Sequence, residues 1–420
     1  MNLRDFRRAG HWPTLLSAFL YFDISFMVWV LIGALANSIV QDFALSDTEK
    51  GLMVAVPILG GAVLRLVLGV MADYLGGRRT GLLGLLLTVA PLCMGWLWAD
   101  SFSKVLLMGL LLGVAGASFA VALPLASRWY PPQYQGLAMG IAGAGNSGTA
   151  LATFFAPRIA EATGWQTVFG LALIPVGLTW ICFYFLAKDS PDQPAPKRWA
   201  DYLAVLRQRD TWWFCFFYAV TFGGFVGLAS FLSIFFHVQY GLTRVQAGTL
   251  VTACVIAGSF LRPLGGYWAD RIGGIHLLSI LYFAIGALML DMATMPPLVW
   301  GTLLMVLTVG LLGLGNGAVF QLVPQRFAKE IGVVTGIVGA AGGVGGFLLP
   351  MVLGAAKQWT GGFGFGVVIF AFIAVSAAIS LINVSDAWEG AFVGKGGRAA
   401  EAMPANLATE SMVLAPQGEA

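Results

Sequence analysis

The string at residues 64–77, LRLVLGVMADYLGG, returns 197 positions later as LRPLGGYWADRIGG at residues 261–274. Eight residues coincide: Gly61/Gly258, Leu64/Leu261, Arg65/Arg262, Gly69/Gly266, Ala72/Ala269, Asp73/Asp270, Gly76/Gly273 and Gly77/Gly274. Each copy sets an arginine deep inside an apolar run, with glycines four residues before and after it. An arginine at the centre of a membrane helix costs at least about 2.5–3.5 kcal/mol, so two at matched depth require a purpose. The repeat restricts the chain to two related halves. The paired arginines imply one site built between them, as in a transporter.

Hydrophobic residues make up 58% of the 420 and charged residues only 10%. Soluble domains carry roughly 25% charge, so this is an integral membrane protein whose constant partner is the lipid bilayer. A net charge of +3 gives no sign of nucleic-acid binding. Apolar runs of about 20 residues, each long enough to span, number twelve. They lie near 14–36, 51–72, 80–98, 104–126, 135–157, 166–187, 211–236, 247–269, 275–294, 298–323, 332–356 and 363–384. Glycine and proline within them do not defeat the assignment, because neighbouring membrane helices satisfy freed backbone groups.

With the N-terminus inside, inner segments hold 16 of the 23 Lys and Arg residues, and outer loops hold 5. The other two are Arg65 and Arg262 themselves. This bias predicts that both termini are cytoplasmic. Arg4, Arg7 and Arg8 precede an apolar run too long for a signal-peptide core, so no cleavable signal is expected.

The longest interior break, residues 188–210, begins Pro-rich, and then Trp199, Tyr202, Leu203 and Leu206 recur at helical spacing beside basic residues. A short amphipathic helix on the inner membrane surface is expected there, with an irregular loop as the alternative. The break divides a six-span bundle at residues 1–187 from another at 211–385. Residues 386–420 are rich in Ala, Glu and Gly without apolar periodicity, and predict a disordered tail. Cys93, Cys182, Cys215 and Cys254 all lie in apolar runs without metal-ligand spacing. With only three histidines and no Ser-His-Asp, zinc or P-loop pattern, no enzyme, metal or cofactor is expected.

Residues 69–79, GVMADYLGGRR, match the GxxxDxxGRR-type loop that follows the second span in the major facilitator superfamily, and a degenerate copy follows the eighth. Asp73 and Asp270, at the inner ends of their spans, are expected to act in gating. The fifth span contains GIAGAGNSG (140–148) and the eleventh GIVGAAGGVGG (336–346). Glycine this dense lets helix backbones approach closely and turns backbone dipoles toward a cavity. Asn146, an uncharged amide within that track, is placed to donate a hydrogen bond to an anion.

An arginine in the second span, another in the eighth, and glycine signatures in the fifth and eleventh together resemble the nitrate/nitrite porter family. The tenth-span string GLGNGAVFQLVPQRF (313–327) resembles its assimilatory bacterial branch. The resemblance covers essentially all twelve spans and implies an all-α major facilitator fold of two six-helix bundles. It further implies that Arg65 and Arg262 grip the anion from opposite halves, with Asn146 as donor and the signature glycines Gly145 and Gly342 beside it. The family's aromatic positions fall on Phe119 in ASFAVALP and on Tyr218 and Phe222 in FYAVTFGGF.

Nitrate chemistry agrees with that set. The ion is planar and monovalent with three weak acceptors, and a guanidinium offers planar, parallel N–H pairs that an ammonium does not. Aromatic walls would exclude water and strengthen the attraction. Asp23, in FLYFDISFMVWV, departs from the pattern of an acid-free pathway. It is read as a proton carrier, an ion-pair partner of an arginine, or a carboxyl bonded to a neighbouring helix. The functional expectation is therefore uptake of nitrate, and of nitrite, through the cytoplasmic membrane by a monomer working as a nitrate/proton symporter. Nitrate/nitrite exchange, carriage of a small carboxylate such as oxalate or formate, and a nitrate receptor without net transport are the alternatives.

Overall fold

The computed structural model describes residues 3–191, 199–327 and 330–398. Among the described residues the secondary structure is helical apart from one isolated bridge between Glu389 and Val393. Eleven helical stretches are long and apolar enough to cross a bilayer. The remaining crossing is the fifth, broken into Pro132–Gly143, a 3-10 turn at Ala144–Ser147, and Gly148–Thr163. Glycines at 140, 143, 145 and 148 weaken that helix where it breaks, each costing about 1 kcal/mol against alanine. Twelve crossings result, as the apolar runs predict.

The internal repeat extends further than its shared string. The second span (Asp47–Leu75) and the eighth (Arg244–Ile272) each have 29 residues. Each begins at a capping box, Ser46 with Glu49 in one and Thr243 with Gln246 in the other. These caps satisfy backbone donors that the first helical turn leaves orphaned. Each span ends at a repeat glycine, Gly76 at φ 87° and Gly273 at φ 97°, a region that side chains rarely adopt. Fixed starts and fixed stops set Arg65 and Arg262 at one depth. The second span then lies against the fourth (Phe102–Ser127), where a Cβ at Gly60 would strike the Leu110 carbonyl. The eighth lies against the tenth (Leu298–Arg326) in the same manner, with Gly313 on the Gly258 carbonyl.

The halves close on each other at the face that the charge bias assigns to the outside. Asn37 donates to the Ser233 carbonyl at 2.8 Å, and Arg158 Nη2 to Thr249 Oγ1 at 2.8 Å. The Thr48 amide donates to Gln358 Oε1 at 2.9 Å, while Gly51 allows the second span onto the Pro350 carbonyl of the eleventh (Ile331–Thr360). At the opposite face, a Cβ added to Gly140, Gly332 or Gly336 meets nothing within 4 Å. The ion pairs there, Arg128–Asp73 at 3.1 Å and Arg326–Asp210 at 2.7 Å, each stay within one half. The halves are thus closed at one face and open at the other, and on the charge-bias expectation the open face is the inner one.

A helix at Trp199–Leu206 stands where the amphipathic segment is expected, and residues 192–198 of that linker lie outside the described residues. The disordered tail needs correction over residues 386–398. The last span (Gly364–Trp388) carries Trp388 onto Phe214, stacked at 4.8 Å, with its indole donating to Asp210 Oδ1 at 2.9 Å. Beyond it the Gly396 amide donates to Glu389 Oε1 at 2.8 Å, and Val393 is buried. Trp388 and Val393 bury apolar surface in a segment whose average composition is low in it. The rest of that tail, 399–420, lies outside the described residues.

Candidate anion-binding site

Arg65 is 1% exposed and Arg262 8%, at the interface of the halves. Arg65 donates through Nε to the Gly116 carbonyl at 3.1 Å in its own half, and through Nη1 to the Gly339 carbonyl at 2.7 Å in the other. Arg262 donates through Nη1 to Asn146 Oδ1 at 3.1 Å and lies 3.5 Å from the Tyr218 hydroxyl. Each arginine is thus tied to a glycine-rich helix across the interface. None of the ion pairs among the described residues includes either guanidinium.

Aromatic rings enclose the pair. The Arg65 guanidinium is 4.7 Å from the centre of Phe222, 5.4 Å from Phe119 and 5.3 Å from Trp29. Arg262 is 5.6 Å from Phe119, which therefore touches both cations. Tyr218 and Phe222, one turn apart on the seventh span (Arg209–Tyr240), stack at 5.1 Å and 8°. Phe320 meets Tyr218 edge-on at 4.9 Å. Ring faces carry partial negative charge and attract guanidinium without neutralising it, so the site stays positive.

The donors are not all used. Arg65 Nη2 and Asn146 Nδ2 are buried without a hydrogen-bond partner. An orphaned buried donor costs about 1–3 kcal/mol, more for a charged group, and an anion would satisfy both at once. The site offers donors and cations, with flat walls to either side. It suits a small, flat, monovalent anion.

Arg65, Arg262, Asn146, Phe119, Tyr218, Phe222 and Gly342 converge here, whereas Gly145 packs on the first span and the gating pair and Asp23 lie apart. Gly342 leaves room for the Tyr218 ring, 2.6 Å from where its Cβ would stand, and Gly145 does the same for Phe22 and the Asp23 backbone. Asp23 is buried against the 3-10 break of the fifth span, accepting from Ser147 Oγ at 2.7 Å and from the Gly148 backbone. Of its three readings, the bond to a neighbouring helix is the one observed. Asp73 pairs with Arg128, the residue that caps the fourth span, and Asp270 takes a hydrogen bond from Gln321 of the tenth.

Trp29, Gly116, Gly339, Ser147 and Phe320 escape the sequence reading. Trp29 gives no signal in a chain with 14 tryptophans. It reaches Arg65 because Gly61 and Gly116 clear a slot for its indole, which donates to the Pro57 carbonyl at 2.7 Å. The carbonyls of Gly116 and Gly339 are backbone groups, and no side-chain pattern marks them.

Two repeat-related bundles around a buried pair of arginines are the architecture of a membrane transporter. The family model described as Major Facilitator Superfamily matches residues 17–350. Two solved structures share the fold. One is a bacterial homologue of the human lysosomal transporter Spinster (TM-score 0.67, 20% identity, 89% of this chain and 96% of that one). The other is the human organic anion transporter MFSD10 (TM-score 0.70, 15% identity, 88% and 99%). Among curated relatives, the probable nitrate/nitrite transporter NarK2 of Mycobacterium tuberculosis is 36% identical over 344 residues, 79% of this chain and 86% of its own. The probable nitrate transporter NarT of Staphylococcus carnosus is 34% identical, covering 86% and 92%. The probable nitrate/nitrite antiporter NarK1 of Thermus thermophilus is 33% identical, covering 81% and 84%. The chain belongs to the nitrate/nitrite porter family of the major facilitator superfamily, and is a multi-pass membrane transporter rather than an enzyme.

Proposed function

We propose that this protein carries nitrate, and nitrite, across the cytoplasmic membrane by alternating access, with both termini inside and a monomer as the working unit. The observation that carries the reading is the buried arginine pair without a carboxylate, flanked by unused donors and aromatic walls. Each guanidinium holds the opposite half through a carbonyl or an amide. An anion arriving between them competes for those donors, so binding and release of the interface are linked.

For coupling we propose nitrate/proton symport, with Asp23 as the proton site. An anion entering a cell of negative interior works against about 2.3 kcal/mol per 100 mV, so uptake needs a second ion. Asp23 is bonded to Ser147 and Gly148, the residues following Asn146, which in turn holds Arg262. A change of charge at Asp23 would act on the 3-10 turn that positions the Asn146 amide.

Exchange of nitrate for nitrite is the second reading, favoured by a specific observation. Two desolvated cations with no carboxylate paired to them among the described residues make an unloaded carrier costly to reorient, whereas an anion-loaded one carries less net charge. Proteoliposomes separate these readings. Asp23→Asn is expected to lose nitrate accumulation driven by a pH gradient while keeping exchange between preloaded vesicles. Accumulation by the Asn variant along an imposed proton gradient would rule out Asp23 as carrier and leave exchange. In the same vesicles, formate or oxalate displacing labelled nitrate more strongly than nitrite would point to a carboxylate carrier. Nitrate binding without any flux would leave a receptor.

A further inference from the structure

Asn316, on the tenth span, is fully buried, and neither its amide nitrogen nor its oxygen has a hydrogen-bond partner. A primary amide offers two donors and accepts at two lone pairs, so this is a side chain with its whole capacity unused. Leucine of similar size would be cheaper at such a place. Position supplies the reason for the amide. Asn316 precedes Phe320 by one helical turn, on the face that brings the Phe320 ring against Tyr218 and, at 6.0 Å, Phe119. Its successor Gly317 lies against the eighth span at the Arg262 carbonyl and, for an added Cβ, 2.6 Å from the Gly266 nitrogen. Its predecessor Gly315 abuts Thr221 of the seventh span at 2.6 Å. Asn316 therefore sits at the depth of Arg262, one turn from the Phe320 ring that packs on Tyr218 and Phe119.

Among the described residues, the buried side-chain nitrogen donors without a partner are Arg65 Nη2, Asn146 Nδ2 and Asn316 Nδ2, and the hydroxyls of Ser118 and Ser259 are unpartnered as well. Nitrate presents three oxygens at the corners of a triangle. Nitrite is bent and presents two. We propose that Asn316 is a specificity-determining contact of the transporter, donating to the third oxygen of a trigonal anion in the loaded state and so separating nitrate from nitrite. The inference rests on the nitrate reading above.

The test uses the purified full chain, with nitrate and nitrite affinities measured by anion-dependent thermal stabilisation and by competition for labelled nitrate in proteoliposomes. In Asn316→Leu the ligand-free midpoint should rise, because an orphaned amide has been removed. Nitrate affinity should fall at least about tenfold, as for loss of one hydrogen bond to a charged group, with a smaller change for nitrite. Asn316→Ser, which adds no bulk, should lower the nitrate-to-nitrite ratio in the same direction. If both variants keep the wild-type ratio, or lose both anions equally, the inference is overturned. So it is if the ligand-free midpoint falls with the ratio intact, as a structural role would require. Wild-type protein that gains no stability from nitrate would instead remove the substrate reading, and this inference with it.

Discussion

Replacing Arg65 by lysine keeps the charge and discards the planar fork, so it isolates what the fork does. Arg65 spends Nε on the Gly116 carbonyl and Nη1 on the Gly339 carbonyl, and holds Nη2 unpartnered. One ammonium cannot bridge two carbonyls in different halves and also reach an anion. Loss of the anion contact and of the Gly339 contact removes two charge-assisted hydrogen bonds, each about 1.5–3 kcal/mol. The first falls on affinity: nitrate should bind about 10- to 150-fold more weakly. The second falls on the interface, since the Gly339 carbonyl is left buried and unpaired, and should lower the ligand-free thermal midpoint. Transport should nearly vanish, while the protein still folds and inserts. Titration of thermal stability with nitrate gives the first number, and uptake into proteoliposomes gives the rest. An Arg65→Lys protein with wild-type affinity and uptake would refute the argument, because charge alone would then suffice. Arg262→Lys should behave likewise, having lost the hold on Asn146.

Asn146→Ala removes one donor to the anion and one acceptor from Arg262, and should weaken nitrate binding by about 1–3 kcal/mol in the same titration; unchanged affinity would end its role as a ligand. Gly148→Ala puts a methyl group onto the Asp23 carbonyl oxygen, while Gly143→Ala meets nothing within 4 Å. Overpacking costs about 1–3 kcal/mol, so the first variant should melt lower than the second, and equal midpoints would mean that the first and fifth spans are not in contact there. Asp73→Asn breaks the pair with Arg128 at the inner end of its bundle. Uptake should fall with nitrate affinity preserved, and a parallel loss of affinity would place Asp73 in the site rather than in gating.

Much of this molecule is fixed by local rules that a linear reading can follow. Twelve apolar runs admit only helices in lipid, because each backbone amide must be satisfied within its own segment. The repeat with its arginines is legible because a buried charge is expensive and glycine at fixed offsets is not accidental. Arg65, Arg262, Asn146, Phe119, Tyr218 and Phe222 were all nameable from motif and resemblance. Tertiary packing decided what the motifs cannot express. Both arginines reach the opposite half, and Arg65 does so through the Gly339 backbone carbonyl, which no side-chain pattern encodes. Trp29 enters the site through a slot between Gly61 and Gly116, residues separated by the whole third span. Asp23 meets Ser147 rather than an arginine because the fifth helix breaks at Ala144–Ser147 and turns that hydroxyl toward the first span. Residues 386–398 fold because Trp388 finds Phe214 and Asp210 from the start of the second half. In each case the deciding partner lies far away along the chain. Composition and periodicity report only the neighbourhood in which each residue is written.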